Sequence, residues 1–106
     1  MRNDREERMA KVYWHRELPP GDAEPLAEHT VEADSVHVPG VFRHREDLWD
    51  RCQSDLTNTV VDRLDQEVRR LGGRCAHVLR EQVDAKHDDT RDEAWLHGRY
   101  TYMLYR

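Results

Sequence analysis

A long amphipathic segment runs from about Glu46 to Leu71 and leaves few choices for the fold. Its apolar residues recur at steps of four, closing with one step of three: Leu48, Cys52, Leu56, Val60, Leu64, Val68 and Leu71. On an α-helix these steps place the side chains on one stripe that winds slowly around the axis. Gly72-Gly73 follows at once, and glycine favours the left-handed turn that ends a helix. The pattern predicts one long helix lying diagonally across a sheet.

The segments on both sides of this helix alternate between apolar and polar residues, which is typical of strands. Residues 11–18 and 28–40 precede the helix, and the proline-rich stretch "PPGDAEP" at 19–25 separates them as a loop. Residues 74–85 and 94–105 follow the helix. In the first of these segments one face holds Cys75, His77, Leu79, Val83 and Ala85, with Glu81 as the exception, and the other holds Arg74, Arg80, Gln82 and Asp84. The predicted fold class is α+β in the order β-β-α-β-β, with a mainly antiparallel sheet covered on one face by a single long helix.

Length and charge limit the classes to which the protein can belong. A chain of 106 residues suits one domain, which we predict over residues 10–106 after a solvated tail at 1–9. The net charge of -5 favours neither nucleic acid nor an anionic membrane as a partner. No segment approaches the ~20 apolar residues of a membrane helix, and the start "MRNDREERMAK" lacks the apolar core of a signal peptide. Two distant cysteines are typical of a reducing cytoplasm.

The last predicted strand carries apolar side chains on both of its faces. Leu96, Tyr100, Tyr102 and Leu104 face one way, while Trp95, His97, Arg99, Met103 and Tyr105 face the other. The second face is too rich in aromatic residues and methionine to be simply solvated. With only 37% hydrophobic residues to build a core, we expect a homo-oligomer whose subunits meet at Trp95, His97, Met103 and Tyr105.

A length argument places the predicted loop at 86–93 beside the start of the helix. A strand that leaves the helix end at Cys75 returns over the length of the helix by about Asp84. The acidic loop then lies next to the basic stretch "RHRED" at 43–47. One interpretation is electrostatic attraction between the two segments. The other is a divalent transition metal, zinc or manganese, held by a mixed set of ligands: His44, His87, Asp88 and Asp89.

The same length separates Cys52 from Cys75 too far for a disulfide, so two separate buried thiols are expected. His77 shares the strand of Cys75 and is expected to be a hydrogen-bonded core histidine rather than a metal ligand.

No nucleophile motif, phosphate loop or zinc-protease motif occurs in the chain, so no catalytic residue is predicted. The leading interpretation is a cytoplasmic, non-enzymatic domain that self-associates. The metal-binding protein described above is the first alternative. The second is a small-ligand carrier or enzyme with an aromatic pocket between subunits, lined by Trp14, Trp95 and the strand histidines.

Four stretches carry a resemblance to a known family: a strand ending in "VPG", a helix closing on "EVRRLGG", then "CAHVLREQVDA" and "EAWLHGRYTYMLYR". Over about residues 29–105 the chain resembles the YbjQ-like family of small bacterial proteins, which is associated with heavy-metal binding and has no established activity. The resemblance implies a sheet covered by one helix and a ring-like homo-oligomer, commonly a pentamer. The chain departs from the family in lacking its glycine-rich insertion before the long helix and in its added start "VYWHRELPP".

Overall fold

Five strands form one sheet, and the long helix packs across it. In the computed structural model, which describes residues 11–106, the elements follow one another as β1 (Lys11–Trp14), β2 (Pro25–Asp34), β3 (Val38–Pro39), a 3₁₀ turn at Gly40–Phe42, α1 (Arg45–Arg70), β4 (Cys75–Asp88) and β5 (Glu93–Tyr105). The predicted α+β class and the β-β-α-β-β order are confirmed, with the two-residue β3 as an addition. The tail predicted at residues 1–9 lies outside the described residues.

The long hairpin of β4 and β5 forms the centre of the sheet. Its two strands pair from Cys75 opposite Tyr105 to Asp88 opposite Glu93. The strand order is β1-β4-β5-β2, and β3 continues the edge of β2 along β5. β2 and β3 are antiparallel to β5, whereas β1 is parallel to β4. The sheet is therefore mainly antiparallel, as predicted, with one parallel edge.

The core lies between α1 and one face of this sheet. The predicted stripe of the helix is buried at six positions: Leu48, Cys52, Leu56, Val60, Leu64 and Val68. From β5, the even-numbered residues meet it: Ala94, Leu96, Tyr100, Tyr102 and Leu104. Each large apolar side chain removed from water contributes about 1.5–3 kcal/mol to folding. The winding stripe on the helix thus matches the twist of the sheet.

The helix ends in the predicted glycine turn. Gly72 adopts a φ of 74°, a left-handed conformation that glycine reaches without strain. The N–H of Gly73 donates to the carbonyl of Val68 at 2.8 Å, and that of Gly72 donates to Arg69 at 3.2 Å. These two bonds form a Schellman motif, which satisfies helix carbonyls that have no partner within the helix.

The predicted loop at 86–93 is wrong at both ends. β4 continues to Asp88 and β5 begins at Glu93, so only residues 89–92 form the turn. Asp88 fixes this turn, because its Oδ1 accepts hydrogen bonds from the backbone N–H groups of Thr90 and Arg91 at 2.9 and 3.3 Å. The polar residues from Lys86 onward join the ladder because backbone pairing with β5 requires no apolar side chain at an exposed hairpin end.

The predicted strand at 28–40 is interrupted at residues 35–37. Ser35 is buried, and its hydroxyl accepts the N–H of Leu96 at 2.9 Å while donating to the carbonyl of Val36. The backbone N–H of Val36 turns to the carboxylate of Asp55 on α1. Serine and aspartate side chains here replace strand hydrogen bonds, and the chain rejoins β5 at Val38.

A β-bulge in β4 changes which residues face the helix. The register with β5 shifts between Val78 and Arg80, and a shift of one residue moves all later side chains to the opposite face. The expectation that Cys75 and His77 share a face with the later apolar residues of this strand is therefore wrong. Cys75 and His77 point away from α1, whereas Val83, opposite Gly98, points toward it.

Candidate functional site

α1 covers one face of the sheet, and we call the other the open face. It is formed by the odd-numbered residues of β5 from Glu93 to Tyr105 and by their cross-strand partners on β2 and β4. Alternate residues of β5 are buried and half-buried or exposed along its whole length. The side chains of this face are thus separated from the core, and they are the ones that can meet another molecule.

One end of the open face is covered by the connection between β1 and β2. These strands lie on opposite sides of the β4–β5 hairpin, so residues 15–24 must cross it. The carbonyl of His15 lies 2.6 Å from Nε2 of His77, which places the connection on the open face. Arg74, directly before β4, forms an ion pair with Asp22 at 3.2 Å. The connection explains why His77 is only 8% exposed, as a hydrogen-bonded histidine, although it faces away from α1.

The two cysteines are free and buried, as predicted. Cys52 lies in the core between α1 and the sheet, with its sulfur 3.7 Å from the carbonyl of Val36. Cys75 is opposite Tyr105 on the other face of the sheet. Burial raises the pKa of the Cys75 thiol, and the neighbouring Arg74 only partly offsets this rise. The sheet itself keeps the two sulfurs apart.

The middle of the open face contains a depression of about 300 Å³, which we call the arginine depression. Arg80, Glu81, Gln82, Arg99 and Thr101 line it. Arg80 and Gln82 of β4 lie opposite Thr101 and Arg99 of β5, so the four form a square. The bulge creates this arrangement, because without the shift at residue 79 Arg80 would point toward the helix face.

The far end of the open face holds two histidines in polar and aromatic contacts. His97 is flanked by Asp34, 2.6 Å from Nδ1, and by Glu32, 3.2 Å from Nε2. The hydrogen bond to Asp34, opposed by partial burial and assisted by Glu32, raises the pKa of His97. Trp95 stacks on His37 with ring centres 4.1 Å apart and planes inclined by 12°.

The four residues predicted at a subunit contact all lie on the open face, half-buried in a single protomer. Met103 and Tyr105 are opposite His77 and Cys75, at the covered end. Trp95 and His97 lie at the far end, which the connection does not reach. The predicted contact residues therefore fall into two pairs. Residues 11–106 cover the pair Met103 and Tyr105 and leave the pair Trp95 and His97 uncovered for a partner.

Trp14 does not share a site with Trp95 within a protomer. Trp14 pairs with Val78 on the helix face of the sheet, and its ring meets the edge of Tyr100 at 6.1 Å. Trp95 points to the opposite face. The sheet separates the two rings within a protomer, so a pocket lined by both would take Trp14 and Trp95 from different subunits, and the predicted pocket between subunits stays a prediction.

The predicted metal ligands are not gathered into a site. His87 and Asp88 are neighbours in β4, so their side chains point to opposite faces of the sheet. Asp89 ion-pairs with Arg43 at 3.5 Å and lies 3.9 Å from Nε2 of His87. His44 is the exposed residue that caps α1. Among residues 11–106, no three His, Cys, Asp or Glu side chains are grouped to hold a metal ion. The contact of Asp89 with Arg43 is the electrostatic attraction that was the other interpretation.

The arginine depression was missed by reasoning from the sequence. The alternation of residues 74–85 places Arg80 and Gln82 on the polar face of their strand, and Arg99 lies on the outward face of the last strand. The sequence does not show the register that sets these residues opposite one another. Cys75, His77 and Val83 alternate as if no bulge were present, so nothing in the sequence marks the shift near residue 79.

Comparison with protein families, with curated proteins and with solved structures finds no match to this chain. The resemblance to the YbjQ-like family therefore stays a prediction. No helix within residues 11–106 combines the length and apolar character that crossing a membrane requires.

Proposed function

We propose that the protein is a non-enzymatic binding domain that self-associates, with the open face of one copy packed on that of a second copy. Trp95 is the observation that carries the proposal. It is a large aromatic residue, half-buried and stacked on His37, at the end of the face that no element of residues 11–106 covers. Aromatic residues at the centre of a contact supply much of its binding free energy.

The size of the open face supports a contact between copies. β5 is 13 residues long. With ~3.3 Å per residue and ~4.8 Å between strands, the part of β2, β4 and β5 outside the covered end, from Glu93 to Thr101 of β5, presents an area on the order of 400 Å². This is the same order as the ~800 Å² that each partner contributes to a standard protein interface.

The charges of the open face favour a second copy as the occupant. The strand β2 contributes carboxylates at Glu28, Glu32 and Asp34, whereas β4 and β5 contribute both basic groups and carboxylates: Arg80, Lys86, Arg99, Asp84, Asp88 and Glu93. Because the basic groups all lie on the β4–β5 side, a two-fold axis parallel to the strands sets them against the acidic β2 of the second copy. We place this assembly in the cytoplasm, because two buried free thiols are typical of a reducing compartment.

The test compares the half-buried Trp95 with the exposed Trp49. Trp95→Glu places a charge in the proposed contact, and we expect it to weaken self-association by roughly tenfold or more. Trp49→Glu is the matched control, because Trp49 is 44% exposed on α1 and lies away from the open face. Sedimentation equilibrium over a range of micromolar concentrations measures both variants, and it also gives the number of copies: two for the two-fold packing proposed here, against the five that the family resemblance implies.

Retention of secondary structure by circular dichroism shows that Trp95→Glu still folds. A wild-type protein that sediments as a monomer throughout this range would contradict the proposal. Equal weakening by the two tryptophan variants would also contradict it.

A further inference from the structure

The arginine depression places two arginines close together on the open face. In the β4–β5 register Arg80 is opposite Thr101 and Gln82 is opposite Arg99. The arginines therefore lie on a diagonal of neighbouring strands, where Cα atoms are roughly 7–8 Å apart. Two guanidinium groups at this spacing repel each other unless negative charge lies between them.

The acidic residues around the depression are engaged with other groups. Glu81 pairs with His15 at 3.3 Å, and Glu32, although opposite Arg99 in the sheet, is 3.2 Å from Nε2 of His97. Glu28 approaches Arg80 at 3.7 Å, with both side chains exposed. Such an exposed pair contributes little to stability. Within residues 11–106, the guanidinium of Arg99 has no hydrogen bond or ion pair.

We propose that the arginine depression binds a small organic oxyanion, a molecule with a carboxylate or phosphate group. Arg99 contacts that group with two parallel N–H donors, the geometry that makes arginine selective for carboxylate and phosphate. Arg80 supplies the second positive charge, and the hydroxyl of Thr101 supplies a neutral donor. The amide nitrogen of Gln82 donates to Oδ2 of Asp84 at 3.3 Å, so Gln82 contacts the polar body of the ligand through its carbonyl oxygen.

The dimensions of the site set the class of ligand. The volume of about 300 Å³ is at the lower end of the range for small-molecule sites, so it suits a metabolite of a few carbon atoms. All four binding residues belong to one protomer. The site is therefore complete in a single copy and does not require the self-association proposed above.

The experiment titrates the full-length protein, labelled with ¹⁵N, with inorganic phosphate and, separately, with succinate. Sodium chloride at matched ionic strength is the reference. We expect saturable shifts of the Nε–Hε signals of Arg80 and Arg99 and of the backbone amide of Thr101. Saturation by phosphate alone assigns a phosphate site, and saturation by succinate alone assigns a carboxylate site; either result supports the proposal.

Two arginine variants make the test specific. Arg99→Gln removes the charge and the fork of donors, and we expect it to weaken binding by about tenfold or more. Arg63→Gln, on the exposed side of α1, is the matched control and keeps the wild-type affinity. Shifts that never saturate, that chloride reproduces, or that survive in Arg99→Gln would overturn the proposal. Repeating the titration on Trp95→Glu separates the two proposals, because in that variant no second copy covers the depression and binding there does not depend on self-association.

Discussion

Gly98 lies where no larger residue fits, because the ring of Tyr100 folds back over it. A Cβ at this position would come within 2.4 Å of Cε2 and 2.6 Å of the hydroxyl oxygen of Tyr100. Tyr100 is itself buried against Trp14, and burial raises its pKa to about 12. The ring cannot move away without losing those contacts. The absence of a side chain at Gly98 therefore leaves the room that the rotamer of this core tyrosine requires.

We predict that Gly98→Ala lowers the free energy of unfolding by about 1–3 kcal/mol, the usual cost of overpacking. Urea denaturation measures the change. Gly21→Ala is the matched control, because nothing lies within 4 Å of a Cβ at Gly21, and its effect on stability is expected to be within about 0.5 kcal/mol. A Gly98→Ala protein as stable as the wild type would show that the ring of Tyr100 can adopt another position without loss of stability.

His97 gives the open face a dependence on pH. Its pKa in the folded protein is raised above the ordinary 6.5, mainly through the hydrogen bond to Asp34. A raised pKa means that the folded state binds the proton more tightly than the unfolded state. The resulting stabilisation is complete below 6.5 and is lost as the pH rises through the folded-state pKa.

We therefore predict that the free energy of unfolding falls as the pH rises above 6.5 and through the raised folded-state pKa of His97, and that His97→Gln removes most of this fall. Urea denaturation at a series of pH values measures the effect. His87→Gln, at an exposed histidine near the hairpin turn, keeps the wild-type slope. An unchanged slope in His97→Gln would contradict the assignment.

At the scale of elements, the parts that could be predicted are those whose signal is local. The stripe from Leu48 to Val68 and the glycines at the helix end predicted α1 to within a residue at each end. A helix needs only its own hydrogen bonds and one apolar stripe. The alternation along β5 was equally clear, because the strand lies at the centre of the sheet with one face on the core throughout.

The parts that could not be predicted depend on partners distant in the chain. The bulge near residue 79 exists because β4 must pair with β5 on both sides of it, and it alone places Arg80 beside Arg99. The end of β4 at Asp88 follows from pairing with Glu93, since its own residues are polar. The arginine depression needs both features together. When the register of the strands is unknown, the sequence does not indicate that the arginine depression exists.

At the scale of the whole molecule, the two faces of the sheet are protected to different degrees. The helix face is sealed by six buried side chains of α1. The covered end of the open face is held by residues 15–24, through the contact of His77 with the carbonyl of His15 and the exposed ion pair of Arg74 with Asp22. Segments with few buried contacts open at a lower free energy than the core does. Cys52 lies on the helix face of the sheet, and Cys75 lies at the covered end of the open face.

We predict that Cys75 becomes accessible to a thiol reagent before Cys52 does. Cys52→Ala and Cys75→Ala each leave one thiol, and the labelling rate is measured against urea concentration. For Cys52, opening requires loss of α1 and therefore shows the urea dependence of global unfolding. For Cys75, displacement of the 15–24 connection is sufficient, so labelling is faster and depends less on urea. Equal urea dependence at the two thiols would show instead that this connection unfolds only together with the core.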